Sequence, residues 1–597
     1  MVSSLRSLGR RHRFSLPLVG LLTVALVVAG ALVTRLGRSG ASADPPDEAS
    51  SRFPGNQNTA EPARILPTSS PAARPSGRPN LVTVVADDMR ADDLRWMPHV
   101  RRLVEDQGLD FRNSFASYPL CAPARASLMT GELAHNHHVF SHVEPYGFGA
   151  LDDSRTIATS LNASGYNTLF LGKYLNGYGT QDSLVTGQPS FRYVPPGWTD
   201  WRASVDRPPN SGFDSGGTYQ YEHLLVNKNG TIDDSHAGHY QTRVQGRIAS
   251  RLVRSYHRSP KPFFLYWAPI APHFGLPREP DDPDVTWPGS GDRERIKTPA
   301  RPPEVRGAFD REIPRASGLP QYGGPAERSV RDNPRPMDAL PELSPAERVA
   351  VRTLTRQRAE ALLVLDQQVA RLVRTLKQTG EYDRTILMFT SDNGYFLGEH
   401  RLRQGKIKAH EPSLRVPFLV AGAGIPHGQR FDPITTEDIP ATLLDLGRAR
   451  PPHPLDGRSV VPSLERDRGW QVPVLTEGLE TSPVFRYAAA HPVPGFTDAR
   501  TTIGIRTPRW KYVRYADGDG ELYDLDADAN ELHNRFGVPA YAAVQAELEQ
   551  VWTAHKDCRG AGCSAPLPAD LAQDPTRLRA TTQQQSRQVE ARYGYSR

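Results

Sequence analysis

The chain has 597 residues, 38% of them hydrophobic and 23% charged, with a formal net charge of +6. That size and apolar content suffice for at least one large buried core and exclude a small scaffold stapled by disulfides or metal. The modest positive charge favours an anionic small-molecule or glycan partner, and no basic stripe interleaved with aromatics points to nucleic acid.

Arg6, Arg10, Arg11 and Arg13 precede an uncharged apolar run over residues 16–33, long enough to span a bilayer or to serve as a signal-peptide core. Arg35 and Arg38 follow it, and the excess of arginine before the run orients the bulk of the chain outward. Ala41-Ser42-Ala43 has the small-x-small form of a processing site, so residues 1–43 read as a signal peptide or a membrane anchor. Membrane contact is expected through that segment alone. Residues 44–79, rich in Pro, Ser, Ala and Arg, read as a disordered linker.

A continuous β-branched run, Leu81 to Ala86, then ends in Asp87-Asp88, the pattern of a buried parallel strand with polar residues at its carboxyl end. Similar runs recur at Thr168 to Leu171 before Gly172-Lys173, at Phe263 to Trp267 before Ala271-Pro272-His273, at Thr385 to Thr390 before Ser391-Asp392-Asn393-Gly394, and at Pro417 to Ala421. Helical patterns fall between them, at Ile157 to Ala163 and through Leu365, Val369, Leu372 and Leu376. The alternation predicts an α/β fold, a sheet with helices on both faces, whose ligands sit beyond the carboxyl ends of its strands. Residues 274–341, dense in Pro, Arg, Asp and Glu, read as a long insertion within a catalytic domain of 80–469. From 470 to 597 short strands around Ile503, Trp510 and Leu522 and a helix near Ala540 to Trp552 suggest a smaller antiparallel subdomain.

Two clusters carry chemistry. Asp87, Asp88, Asp392 and Asn393 would bring three carboxylates and an amide oxygen to one sheet edge, a hard all-oxygen set suited to calcium or magnesium rather than zinc. Of the three cysteines, Cys558 and Cys563 can close a small loop in an exported chain, leaving Cys121 unpaired. Pro123 and the helix formers after it place Cys121 at a helix start, where amide hydrogens and the dipole favour an anion, and Arg125 follows one turn later.

Cys121-Ala122-Pro123-Ala124-Arg125 followed by Ala126-Ser127-Leu128-Met129-Thr130-Gly131 resembles the sulfatase signature. Asp87-Asp88, Gly172-Lys173, Ala271-Pro272-His273, Ser391-Asp392-Asn393-Gly394 and Gly405-Lys406 stand in that family's order, and Gly172 to Tyr178 is most similar to the N-acetylglucosamine-6-sulfatase group. The resemblance implies an alkaline-phosphatase-like mixed, largely parallel sheet and a sulfatase acting on sulfated carbohydrate or aryl sulfates. It also implies a formylglycine made from Cys121 by a formylglycine-generating enzyme, with calcium preferred over magnesium at Asp87, Asp88, Cys121, Asp392 and Asn393. Cys121, Arg125, Lys173, His273 and Lys406 are the implied catalytic residues, with His273 protonating the departing alcohol.

Two departures stand out. Many sulfatases carry histidine two residues after the first active-site lysine, where this chain has Leu175, which leaves His135, His137 and His138 as substitutes to be considered. The family's Tyr-x-Thr-Asp segment reads Tyr240-Gln241-Thr242-Arg243. A phosphomonoester or phosphonate hydrolase of the same superfamily, or an inactive protein that binds sulfated glycans, are the competing functions.

Overall fold

Strand β1 (Asn80–Ala86) is buried along its whole length, as a sheet covered on both faces requires. The computed structural model describes residues 77–289, 292–479, 496 and 498–595, so the apolar run at 16–33 and nearly all of the expected linker lie outside the described residues. Among the described residues no helix is long and apolar enough to cross a membrane.

After β1 come β2 (Gly108–Phe115), β3 (Asn167–Lys173), β4 (Asp200–Ser204), β5 (His223–Lys228), β6 (Thr231–Ala237) and β7 (Phe263–Ala268). A two-stranded hairpin, β8 (Thr286–Gly289) and β9 (Asp292–Arg295), lies within the Pro-rich stretch. Then follow β10 (Thr385–Ser391), β11 (Phe418–Gly422) and β12 (Gly428–Thr435). Ten of these strands form one sheet in the order β12-β2-β11-β10-β1-β7-β3-β4-β5-β6. Its centre, β10-β1-β7-β3-β4, is parallel throughout, while β11 runs antiparallel to both β10 and β2 and makes the sheet mixed.

Alternation along β1 divides the core. Val82 and Val84 face a layer containing Val244, Ile248 and Leu252 of the helix Gln241–Tyr256 and Leu362, Leu365 and Val369 of the helix Pro345–Gln378. Leu81 and Val85 face the opposite layer, with Ala122, Ala126 and Met129 of the helix Cys121–Thr130 and Leu443 of the helix Asp438–Gly447. The long helix starts where its sequence says it should: Ser344 caps it, Glu347 returns the hydrogen bond to the Ser344 amide at 2.8 Å, and Pro345 occupies the first turn. Leu365 is fully buried on it, so Leu365→Ala removes roughly 2–5 kcal/mol.

A separate four-stranded sheet, all antiparallel, consists of β13 (Val474–Gly478), β14 (Thr502–Arg506), β15 (Trp510–Tyr515) and β16 (Gly520–Asp524). The helix Ala542–His555 packs on it through Leu548, Val551 and Trp552, and Cys558 is bonded to Cys563 just beyond. A last helix, Pro575–Tyr593, is capped by the Asp574 side chain.

Candidate active site

Parallel register does the first part of the assembly. Ala86 pairs with Ser391, so Asp87 and Asp392 leave adjacent strands side by side, and the Asp392 amide donates to the Ala86 carbonyl at 3.2 Å. Asp88 adopts a left-handed conformation (φ 64°), uncommon for a residue with a Cβ, and its carbonyl accepts from Arg358 Nη2 at 2.6 Å. Lys173 is the last residue of β3; the glycine before it has φ 101°, and a Cβ there would stand 2.2 Å from the Ala268 carbonyl oxygen of β7. Only glycine lets the two strands run this close to the point where Lys173 leaves the sheet.

Into this edge the helix Cys121–Thr130 points its first turn. Leu120 before it is extended (φ −151°, ψ 135°), which directs Cys121 to the strand ends. Cys121 Sγ lies 3.2 Å from Asp87 Oδ1 and 3.5 Å from Asp88 Oδ1, with Lys406 Nζ at 2.6 Å. Lys406 also pairs with Asp88. Lys173 Nζ donates to Asp87 Oδ2 at 2.7 Å, and Arg125 donates through Nε to Asp392 Oδ2 at 2.8 Å and through Nη1 to the Lys173 carbonyl at 2.9 Å. Asp392 Oδ1 accepts the Asp88 and Asn393 amides at 3.0 and 2.9 Å, and Asn393 Nδ2 donates to Asp88 Oδ1 at 2.8 Å. His273 donates from Nδ1 to the Phe274 carbonyl at 2.7 Å and turns Nε2 to within 3.7 Å of Asp88 Oδ2.

Burial pushes the Asp87 carboxyl up, but Lys173, His273, Arg125 and Lys406 outweigh it and hold the group well below the usual carboxylate range. For Asp392 the balance falls the other way: burial and the neighbouring Asp87 raise it to about 6 despite Arg125. Burial and Asp87 push the Cys121 thiol well above its ordinary value, and burial lowers His273 to about 4 against the pull of Asp87 and Asp88. Three buried atoms in this cluster have no hydrogen-bond partner among the described residues: Asp88 Oδ2, Asn393 Oδ1 and Arg125 Nη2. Each such atom costs about 1–3 kcal/mol unless something binds it.

Every residue expected at the site therefore meets there: Asp87, Asp88, Cys121, Arg125, Lys173, His273, Asp392, Asn393 and Lys406. The substitute histidines do not. His135 bridges Glu477 and the Cys558 carbonyl, both at 2.6 Å; His137 bonds Ser127 Oγ at 3.1 Å; His138 is exposed at a helix end. The short helix Ala134–His137 turns them away from the strand ends. Leu175 packs in the apolar layer at 3% exposure, and Arg243 pairs with Glu304. Tyr219 had no sequence signal, yet its ring centre lies 5.1 Å from Lys173 Nζ and 4.9 Å from the His273 ring, and its hydroxyl accepts from Asn176 Nδ2 at 2.5 Å. His400 and His410 lie 4.5 Å apart, with His400 bonded to Glu327.

The Sulfatase family model matches residues 79–449, and that of the N-sulphoglucosamine sulphohydrolase C-terminal region matches 398–557. The chain is 27% identical to an arylsulfatase of Volvox carteri over 540 residues, 83% of this chain and 77% of that protein. It is 27% identical to the N-acetylglucosamine-6-sulfatase of Capra hircus over 498 residues, 78% of this chain and 81% of that protein. Among solved structures, one in complex with its substrate D-glucosamine-2-N,6-O-disulfate superposes with a TM-score of 0.59 at 20% identity, covering 81% of this chain and 98% of that one. A phosphonate monoester hydrolase from Silicibacter pomeroyi gives 0.57 at 20% identity, covering 83% and 99%; identity this low speaks for the shared fold. With the family model covering most of the chain and sulfatases among its relatives along most of their length, the chain belongs to the sulfatase family and is a sulfuric ester hydrolase.

Proposed function

We propose that this is an exported sulfatase that removes sulfate from a sulfated sugar, using a formylglycine formed at Cys121 and a calcium ion. In this reading 80–469 is the catalytic domain, 470–597 a C-terminal subdomain, and the arginines and apolar run before residue 34 the means of export. The observation that carries it is the junction of a helix N-terminus, four oxygen-bearing side chains and three cations around one buried cysteine. As a thiol Cys121 is a poor nucleophile, because burial and Asp87 oppose its ionisation.

The residues present fit a hard divalent cation. Asp88 Oδ2 and Asn393 Oδ1 are buried acceptors that receive no hydrogen bond from the described residues, and Asp87 and Asp392 complete an all-oxygen set. One possible ligand atom from each of Asp87, Asp88, Cys121 and His273 lies within 4.8 Å of the others. The carboxylates and the amide are the better ligands for calcium, because an imidazole or a thiol suits softer metals. The three carboxylates are balanced by Arg125, Lys173 and Lys406, so a sulfate monoester tips the site negative and a divalent cation offsets it. Asp87, Asp88, Asp392 and Asn393 would hold that ion, which supplies polarisation of the sulfate oxygens. A hydrated formylglycine supplies two hydroxyls on one carbon, which lets sulfate be taken up and released at the same residue.

The side chains do the rest. The first-turn amides of the helix Cys121–Thr130 and Arg125 Nη2, which faces Asp87 Oδ1 at 3.6 Å without a hydrogen bond, offer donors to sulfate oxygens, and Lys173 and Lys406 neutralise charge that grows as the ester bond breaks. His273 donates its Nδ1–H to the Phe274 carbonyl, so it hands a proton from Nε2 to the departing alcohol only as the imidazolium, a form that the Asp87 and Asp88 carboxylates and a bound sulfate favour. Sulfate release from a panel of sulfated monosaccharides and glycosaminoglycans tests this reading, which expects turnover of at least one sulfated hexosamine and fails if the whole panel is inert. The fold shared with a phosphonate monoester hydrolase keeps one second reading in play. Matched aryl sulfate and aryl phosphonate rates decide it, and faster phosphonate cleavage would reverse the assignment.

A further inference from the structure

One histidine that the mechanism does not use stands at this pocket. His142 follows Phe140, which belongs to an apolar cluster with Leu120, the neighbour of Cys121, and with Ile407, the neighbour of Lys406, packed against it. The segment turns back tightly there, the Phe140 and Ser141 amides donating to the Tyr146 carbonyl at 3.0 and 3.1 Å. From the other side the His142 carbonyl accepts from Gln181 Nε2 at 3.0 Å, and the Gln181 amide donates to Gly177, four residues past Lys173, at 2.8 Å. His142 is thus tied at one end to the wall that carries Cys121 and Lys406 and at the other to the wall that carries Lys173. Its Nε2 is buried and has no hydrogen-bond partner among the described residues. Beyond it Val143 and Tyr146 are 62% and 37% exposed, while the ring itself is near enough to Lys406, Lys173, His273 and Asp88 to feel their charges.

An ester whose sulfur faces the residue at position 121 directs its bridging oxygen the opposite way, toward solvent, as in-line displacement demands. Val143 and Tyr146, exposed just beyond His142, put this segment toward solvent relative to the fully buried Cys121. Burial, with Lys406, Lys173 and His273 adding to it, pushes the imidazole down to about 3, so the ring is neutral at neutral pH and carries a single N–H. His273 has its Nδ1–H committed to the Phe274 carbonyl, whereas His142 Nε2 is uncommitted.

We propose that His142 is a further substrate-contacting residue, donating Nε2–H to the bridging oxygen of the bound sulfate ester and so stabilising the departing alkoxide. The inference rests on the reading that sulfate is held against residue 121. Its test is the leaving-group dependence of kcat/KM over aryl sulfates ranging from nitrophenyl to unsubstituted phenyl. Wild-type full-length enzyme is compared with His142→Ala, His142→Leu and His142→Gln. Loss of the donor lowers kcat/KM for the poorest leaving group by about 10²-fold. For the most acidic phenol, which needs little help to depart, the loss stays below about ten-fold. Glutamine, which keeps an N–H donor near the same place, recovers part of the loss; leucine, near the ring in volume, recovers none. An equal loss across the series, or no loss, overturns the proposal, since a residue that only supports the fold would not change the slope. If alanine fails to fold, the leucine and glutamine variants carry the comparison. Wild-type inertness toward every aryl sulfate would instead strike at the parent reading.

Discussion

At the sheet edge Asp87, Asp88 and Asp392 meet Arg125, Lys173 and Lys406; at the four-stranded sheet a second cluster has two parts, Glu477 with His135 and Arg500, and Glu411 and Glu531 with Arg506 and Lys511. Both clusters are buried and both mix signs. They differ in what is left over. Glu477 accepts from the Ala134 amide at 2.8 Å, from His135 at 2.6 Å and from Arg500 at 2.7 Å, while Lys511 is shared between Glu411 and Glu531. The first cluster keeps Asp88 Oδ2, Asn393 Oδ1 and Arg125 Nη2 without hydrogen bonds among the described residues. Buried charge alone thus does not mark a site in this protein; unspent bonding capacity does.

The sharpest way to separate the two is to cut each at one residue. Cys121→Ala lowers aryl sulfate turnover by about 10⁴-fold or more. Its urea midpoint stays near that of wild type, because only one Sγ atom is lost. Glu477→Ala does the reverse: it takes the carboxylate from His135 and from one side of Arg500, which keeps Asp498 and Asp557, costs about 1–3 kcal/mol in urea unfolding, and leaves turnover per folded molecule within several-fold. A Cys121→Ala protein that unfolds early, or a Glu477→Ala protein that is folded but inactive, would break the distinction.

Calcium removal sharpens it further. Chelation abolishes turnover and lowers stability by an amount that grows with the saturation lost, about 2.7 kcal/mol from a hundredfold excess over Kd. The same decrement is expected on top of Glu477→Ala, since the two clusters share no partner. Thermal scans of both proteins with and without calcium check this, and a decrement confined to one of them would show the clusters to be coupled.

A further effect is one of pH. Glu477 is lowered from an ordinary 4.5 to about 2, its burial outweighed by His135 and Arg500. Its contribution to stability is present above pH 4.5 and is lost as pH falls from 4.5 toward 2, by at most about 1.4 kcal/mol per pH unit. His135, raised by Glu477 against its own burial, contributes below its ordinary value of 6.5 and loses that contribution as pH rises through its folded value. The stability gap between wild type and Glu477→Gln should therefore narrow in acid, and a gap independent of pH would contradict the pairing.

Much of the catalytic edge was legible in the sequence because each contributing strand is a continuous apolar run that stops at a polar cluster, and parallel register then fixes where those clusters meet. Asp87 beside Asp392 is the direct case. Lys173 and His273 follow from β3 and β7, the next strands along. Strand order was not legible, nor was the reversal of β11, because an apolar run carries no sign of direction. Strand β13 and the helix Pro575–Tyr593 carried too weak a pattern to be assigned, and both are held by tertiary partners: β13 by β14, the helix by bonds from Gln585 and Gln588 to the 508–526 region. Among the histidines, proximity in sequence misled. His135, His137 and His138 sit within seven residues of His142, yet a single turn of helix sends them toward Glu477 and Ser127 while the loop beyond it returns to the pocket.

All of this depends on residue 121 being something other than a thiol when the enzyme works. Mass spectrometry of the peptide containing position 121, taken from enzyme whose turnover has just been measured, tests that most directly. The account predicts an aldehyde or its hydrate in place of the thiol, in a fraction that tracks specific activity across preparations made with and without the formylglycine-generating enzyme. Fully active protein carrying only an unmodified cysteine at position 121 would contradict it.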